Sequence, residues 1–170
     1  GKEYAHTRHN LGFMAVTRLA ERAGFKLAKE AKFEGWAARG FLTGPGGERS
    51  ELHLLLPATY MNLSGRAVVR YLNWFKMGVD ELIVVCDDIA LAFGEMRIRL
   101  SGSCGGHNGL RDIESALGSS SYARLRIGIG DRERGDLSDY VLSRFTPEEE
   151  EKLDSLLDEA AGVVESAIWE

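Results

Sequence analysis

A few polar side chains stand at joints of this chain rather than on periodic faces, and together they have the makings of acid–base chemistry. His9, in YAHTRHNLGF, comes immediately before an apolar helical pattern that opens at Asn10. Histidine is a weak choice where capping is the only need, since Ser, Thr, Asp and Asn cap better. Asp87 and Asp88 close the apolar run ELIVVCD, and the end of such a strand is where α/β sheets usually bind ligands. Paired acids there are also a common turn signal. A histidine oriented by a carboxylate is a general base, and the loop carrying His9 can reach Asp87. Asn62 in TYMNLSG and Asn108 in GSCGGHNGL each precede a helical pattern. They can cap those helices or hydrogen-bond a peptide group.

Other patterns are weaker. The glycine loop SGSCGGHNG lacks the G-K-[ST] of a P-loop, and GIGDRERG has Glu133 where a third dinucleotide-binding glycine belongs. The loop does empty into a helix N-terminus, where amides attract anions, and His107 and Asn108 at its end favour a site over a plain turn. His6 and His9 form H-x-x-H with no third ligand nearby in sequence, a poor metal pattern. Arg97, Arg99, Arg111, Arg124 and Arg126 surround the loop. They read as a solvated face or as a track for a phosphate backbone.

These residues need elements to hold them. Leu11, Ala15, Leu19 and Ala23 recur at helical spacing over residues 10–23, and Gly24 is placed to end that helix. KFEGWAARGFLTG and ELHLLLP read as a strand pair joined by PGGERS. A helix is predicted over residues 64–76, with Val68, Leu72 and Phe75 on one side. ELIVVCD reads as a strand covered on both faces, EMRIRL as a more exposed one, LRDIESALG as a short helix and ARLRIGIG as a further strand. Thr146, Pro147 and Glu149 match a capping box with proline in the first helical position. The alternation predicts one α/β domain over residues 1–170, a mixed twisted sheet packed between helices.

At 170 residues and 44% hydrophobic content, the chain can bury a core without disulfides or metal. Cys86 and Cys104 are far apart in sequence, which predicts a reducing, cytoplasmic setting. No run approaches the ~20 apolar residues of a membrane span. The net charge of −5 is unevenly spread. Residues 146–170 hold nine acidic residues against Lys152 alone, leaving twenty basic and seventeen acidic residues in 1–145. A basic face for nucleic acid therefore remains available.

YAHTRHNLGF, PATYMNLSG, VVCDDIAL, GSCGGHNGL and RLRIGIG, in this order and spacing, resemble bacterial-type peptidyl-tRNA hydrolases over essentially the whole chain. The resemblance implies a monomeric α/β enzyme that cleaves the ester between a peptide and the 3′ ribose of tRNA. On that reading His9 matches the catalytic histidine and Asp87 the acid that orients it. Tyr4 and Tyr60 match substrate-contacting aromatics, and Asn62 and Asn108 match the asparagines that hold the peptide and position water. Asn10, Met61 and His107 stand in support. Arg97, Arg99 and Arg126 match basic positions on the tRNA-facing side. No cofactor or metal is implied, because a positioned water and a general base suffice for an ester.

The chain departs from the family pattern in three places. The family opens with an apolar strand and a G-N-P-G turn, of which Gly1 matches the last residue, so a first strand is expected ahead of Gly1. Ala90 and Ala92 replace an acid and a proline common after Asp87, and a C-terminal tail is expected beyond Glu170. Two alternatives stand beside the enzyme: a non-catalytic RNA-binding protein of splicing-factor type on the same fold, and a metal hydrolase built on His6, His9 and the two aspartates. The presence of His9, Asp87, Asn62 and Asn108 together favours the enzyme.

Overall fold

The structure, a computed structural model, describes residues 11–58, 64–102, 104–105, 107–130 and 145–169, and for Asn108 the backbone only. Helix α1 (Leu11–Ala23) buries Leu11, Gly12, Ala15, Leu19 and Ala20. It ends as its sequence predicts. Gly24 takes φ +74°, its N–H donates to Glu21 O, and Phe25 N–H reaches back to Ala20 O. That pair of bonds is a Schellman stop, which glycine adopts without the Cβ penalty.

Strands β1 (Ala28–Glu30), β2 (Gly35–Thr43) and β3 (Arg49–Pro57) form an antiparallel sheet in that order. Here the residues KFE depart from the expected strand. Residues Ala31–Phe33 form a 3-10 turn, and Glu34 sits in the left-handed region at φ 53°. β2 begins only at Gly35, opposite Pro57. A Cβ on Gly35 would collide with the Leu56 carbonyl. Helix α2 (Ser64–Trp74) packs on α3 (Asn108–Leu117).

Strands β4 (Ile83–Asp88), β6 (Ala123–Gly128) and β5 (Met96–Arg99) make the second group, with β6 in the middle. β4 runs parallel to β6 and β5 antiparallel to it, in register Cys86↔Arg126 and Arg97↔Arg126. The fold is the expected α/β type with mixed pairing, and the strands divide three and three among the described residues. Leu125 and Ile127 of β6 are fully buried, whereas Ile83, Val84 and Val85 of β4 are half-buried.

Helix α4 (Pro147–Ile168) opens on the predicted capping box. Thr146 Oγ1 accepts from Glu149 N–H, and Glu149 accepts from Thr146 N–H. Its buried Leu156, Leu157, Ala160, Ala161 and Val164 close the main core against α1 and Leu125, Ile127 and Ile129. The acidity of α4 is partly spent on α1: Arg18 meets Asp154 and Asp158, and Arg22 meets Glu165. A second core joins Val68, Leu72, Cys86, Leu110, Ile113 and Tyr122. No helix among the described residues is long and apolar enough to cross a membrane.

Candidate active site

Asp87 is the fixed point of the site. It occupies the C-terminal end of β4 and is only 5% exposed. A carboxylate so buried needs hydrogen bonds to hold its charge. His107 supplies one, with Nε2 3.1 Å from Asp87 Oδ1. The other ring nitrogen, Nδ1, accepts the Leu110 N–H at 3.2 Å and so caps α3. Because Nδ1 is an acceptor, the proton of the neutral ring is on Nε2 and points at Asp87. Of the two readings left open for Asn108, this geometry removes the cap. His107 is the N-cap, and Asn108 is the first residue of the helix.

Asp88 faces other partners. Its Oδ1 accepts Ala90 N–H at 2.8 Å, which starts the turn after β4. Its Oδ2 lies 3.7 Å from Arg126 Nη1. The turn then folds across the end of β6: Gly128 N–H donates to Glu95 O, Ile129 N–H to Asp88 O and Gly130 N–H to Leu91 O. Gly128 leaves no space for a Cβ beside the Ala92 carbonyl. Arg126 also lies under the glycine loop, its guanidinium 3.5 Å from where a Cβ on Gly105 would be. Gly105 itself has φ 60°, a conformation that suits glycine.

The start of α1 is docked beside this strand end. A Cβ on Gly12 would lie 2.5 Å from Val85 O and 3.3 Å from Cys86 Cα. Glycine in a helix interior costs roughly 1 kcal/mol against alanine. Here it permits backbone-to-backbone contact with β4. Sequence reasoning passed over Gly12, although its helix cost was the available signal.

Of the arginines expected to face tRNA, Arg97 and Arg99 are exposed on β5, and Arg126 is half-buried beside them. Arg124, opposite Arg99, projects from the same sheet face but is not accessible there. It is fully buried, with Glu114 Oε1 at 2.9 Å, Ser120 O at 2.6 Å, and its guanidinium over the Tyr122 ring. Tyr4, His9, Asn10, Tyr60, Met61 and Asn62 lie outside the described residues, as does His6. Among the described residues no group of three or more His, Cys, Asp or Glu is placed to hold a metal ion. Burial pushes the Cys86 thiol up to about 12, so it remains protonated next to this site.

The arrangement defines an α/β protein with a buried carboxylate–imidazole pair at a strand end, next to a glycine loop and exposed arginines. The family model for peptidyl-tRNA hydrolase matches residues 1–170. A peptidyl-tRNA hydrolase of Synechococcus sp. (strain JA-2-3B'a(2-13)) is 46% identical over 167 residues, covering 97% of this chain and 72% of the relative. One from Citrifermentans bemidjiense is 43% identical over 171 residues, covering 100% of this chain and 87% of the relative. The crystal structure of peptidyl-tRNA hydrolase from Acinetobacter baumannii superposes with a TM-score of 0.88 at 37% identity, over 97% of this chain and 82% of that one. The chain belongs to the peptidyl-tRNA hydrolase family.

Proposed function

We propose that this chain hydrolyses the ester between a peptidyl group and the 3′ ribose of tRNA, with His9 as general base and Asp87 as the carboxylate that orients it. The observation that carries the site assignment is the contact of Gly12 with Val85 and Cys86. It sets the first turn of α1 against β4, two residues before Asp87. Only Asn10 and Leu11 lie between His9 and Gly12, and three peptide steps span at most about 10–11 Å, a distance that supports pairing His9 with Asp87 in this reading.

Water attacks the ester carbonyl while His9 takes its proton. Asp87 holds the imidazole tautomer and stabilises the imidazolium that forms, the logic of a triad with water in place of serine. The amide of Asn62 or Asn108 meets the developing oxyanion. Collapse of the tetrahedral intermediate breaks the bond to the ribose oxygen, which takes the proton back from His9. The products are a peptide acid and tRNA with a free 3′ hydroxyl. The His107 N–H donated to Asp87 Oδ1 holds the carboxylate in place for this role. Tyr4 and Tyr60 contact the peptidyl end, with Asn10 and Met61 in support. Arg97, Arg99 and Arg126 follow the tRNA backbone. The proposal takes residues 1–170 as one hydrolase domain, acting as a cytoplasmic monomer.

The test is release of tRNA from an N-acetylated aminoacyl-tRNA. His9→Ala and Asp87→Asn should each lower kcat on the order of 10²–10⁴, the range of general-base catalysis. A chelator should leave the rate unchanged. Undiminished turnover by a folded His9→Ala protein overturns the assignment. Tight tRNA binding without any turnover by the parent chain would favour the RNA-binding alternative.

A further inference from the structure

Residues 59–63, which carry Tyr60, Met61 and Asn62, lie in sequence between Ala58, the residue after β3, and Ser64, the first residue of α2. One residue outside this stretch bonds to both flanks. Glu34 O accepts the Ala58 N–H at 2.8 Å. The Glu34 carboxylate takes a two-point fork from Arg66 in the first turn of α2, with Nε to Oε2 at 2.7 Å and Nη2 to Oε1 at 2.8 Å. Arg70 Nη1 stands 3.9 Å from Oε1, one turn further along.

Glu34 holds this place at a backbone cost. Its φ of 53° is left-handed, which is uncommon for a residue with a Cβ. Its N–H is tied to Ala31 O at 3.1 Å, and Gly35 behind it has no room for a side chain against Leu56 O. The turn is therefore rigid on the strand side. On the helix side, Gly65 N–H donates to Asp112 Oδ2 at 2.5 Å. That docks the start of α2 on α3, the helix capped by His107. A bidentate arginine–carboxylate fork fixes orientation as well as distance. Here it sets the first turn of α2 relative to the end of β3.

We propose that Glu34 is a positioning residue for the substrate-binding segment 59–63, acting through Ala58 and Arg66 without touching substrate. The role rests on the reading of Tyr60 and Asn62 given above. Glu34 sets the end of β3 and the first turn of α2 relative to each other, and a binding geometry set in advance lowers the cost of binding. The effect should therefore fall on KM more than on kcat.

The experiment is steady-state hydrolysis of N-acetylated aminoacyl-tRNA by the parent protein, Glu34→Asn, Glu34→Asp, Arg66→Gln, and Glu34→Asn with Arg66→Gln. Asparagine and aspartate tolerate the left-handed backbone, so the turn survives while the fork is lost or shortened. Glu34→Asn and Arg66→Gln should each raise KM about two- to fivefold, the range an exposed ion pair supplies. Their Tm and kcat should stay near the parent's, and Glu34→Asp should recover part of the loss. The double variant should be no worse than either single one, because both remove the same fork. KM unchanged in both single variants, or losses that multiply in the double variant, overturns the proposal. Asn62→Ala measured in parallel separates the two ideas. If it matches the parent in KM and kcat, the segment does not bind substrate and the Glu34 role falls with it. If Asn62→Ala is impaired while Glu34→Asn is not, the role of Glu34 alone is wrong.

Discussion

His107 is shared between a helix and a carboxylate: its Nδ1 accepts from Leu110 N–H at 3.2 Å while its Nε2 sits 3.1 Å from Asp87 Oδ1. One side chain thus ends the glycine loop, caps α3 and orients the acid at the end of β4. The cap selects the tautomer, and the tautomer puts a donor on Asp87.

The two jobs of His107 can be separated by substitution. Asparagine caps helices well but is too short to replace the ring's second nitrogen. His107→Asn should keep the cap but take one donor from buried Asp87, costing about 1–3 kcal/mol of stability and lowering kcat about three- to tenfold. His107→Ala should lose as much kcat and about 0.5–2 kcal/mol more stability, with the cap gone. Thermal melts alongside single-turnover rates check this. Equal stability for the two variants contradicts the capping role.

Gly12 makes a prediction opposite to helix propensity. Alanine favours a helix by about 1 kcal/mol over glycine, yet its Cβ would lie 2.5 Å from the Val85 carbonyl. Backbone does not yield as a flexible side chain does, so α1 must move off β4. Overpacking of this kind costs typically 1–3 kcal/mol. Gly12→Ala should therefore be less stable than the parent in urea, and its kcat should fall by more than tenfold, because misplacement by ~1 Å is expensive in catalysis. A more stable Gly12→Ala protein would show the contact to be slack.

Salt dependence should distinguish the arginines. Arg97 and Arg99 are exposed on β5, and Arg124 is fully buried with Glu114. Arg97→Ala and Arg99→Ala should each reduce the slope of log K against log salt for tRNA by about 0.7–0.9. Arg126→Ala should do the same and also disturb catalysis, since Arg126 lies near Asp88 and under Gly105. Arg124→Ala should leave the slope unchanged and cost about 1–3 kcal/mol, because Glu114 loses its partner. Filter binding of tRNA at several salt concentrations, with melts in parallel, is the measurement.

Acid should weaken the hairpin through His53. Burial lowers its pKa below the ordinary 6.5, offset in part by Glu51 and reinforced by Arg39. Its Nδ1 is 2.7 Å from the Tyr71 hydroxyl and its Nε2 3.1 Å from Glu51. A histidine held neutral in the fold binds fewer protons than in the unfolded chain. Its contribution is intact above pH 6.5 and is lost as pH falls from there towards the lowered folded value. His53→Gln should therefore be less stable than the parent at pH 8 and show a shallower fall of Tm between pH 7 and pH 5. Parallel curves over that range would mean that His53 does not titrate with unfolding.

Much of this protein was legible from its residues because the signals were local. Leu11, Leu19 and Gly24 marked out α1, Thr146 and Glu149 capped α4, and the turn residues PGGERS marked the hairpin, since capping, side-chain period and turn chemistry act within a few residues. The motif order also pointed to the family. Other features needed the third dimension. Arg124 and Arg126 share one face of one strand, yet burial against Tyr122 made Arg124 structural while Arg126 kept access to the glycine loop. Sequence left Asn108 open between a cap and a peptide contact, whereas in the fold His107 caps α3 and also meets Asp87, twenty residues earlier in the chain. Glu34 read as the interior of a strand until Gly35, Ala58 and Arg66 converged on it. Asp87 lies twenty residues from His107 and Arg66 thirty-two from Glu34, close only in the fold, and even Tyr122 meets Arg124 only through the packing that buries both. Local propensity carries no term for such a partner, so only tertiary packing could assign the role.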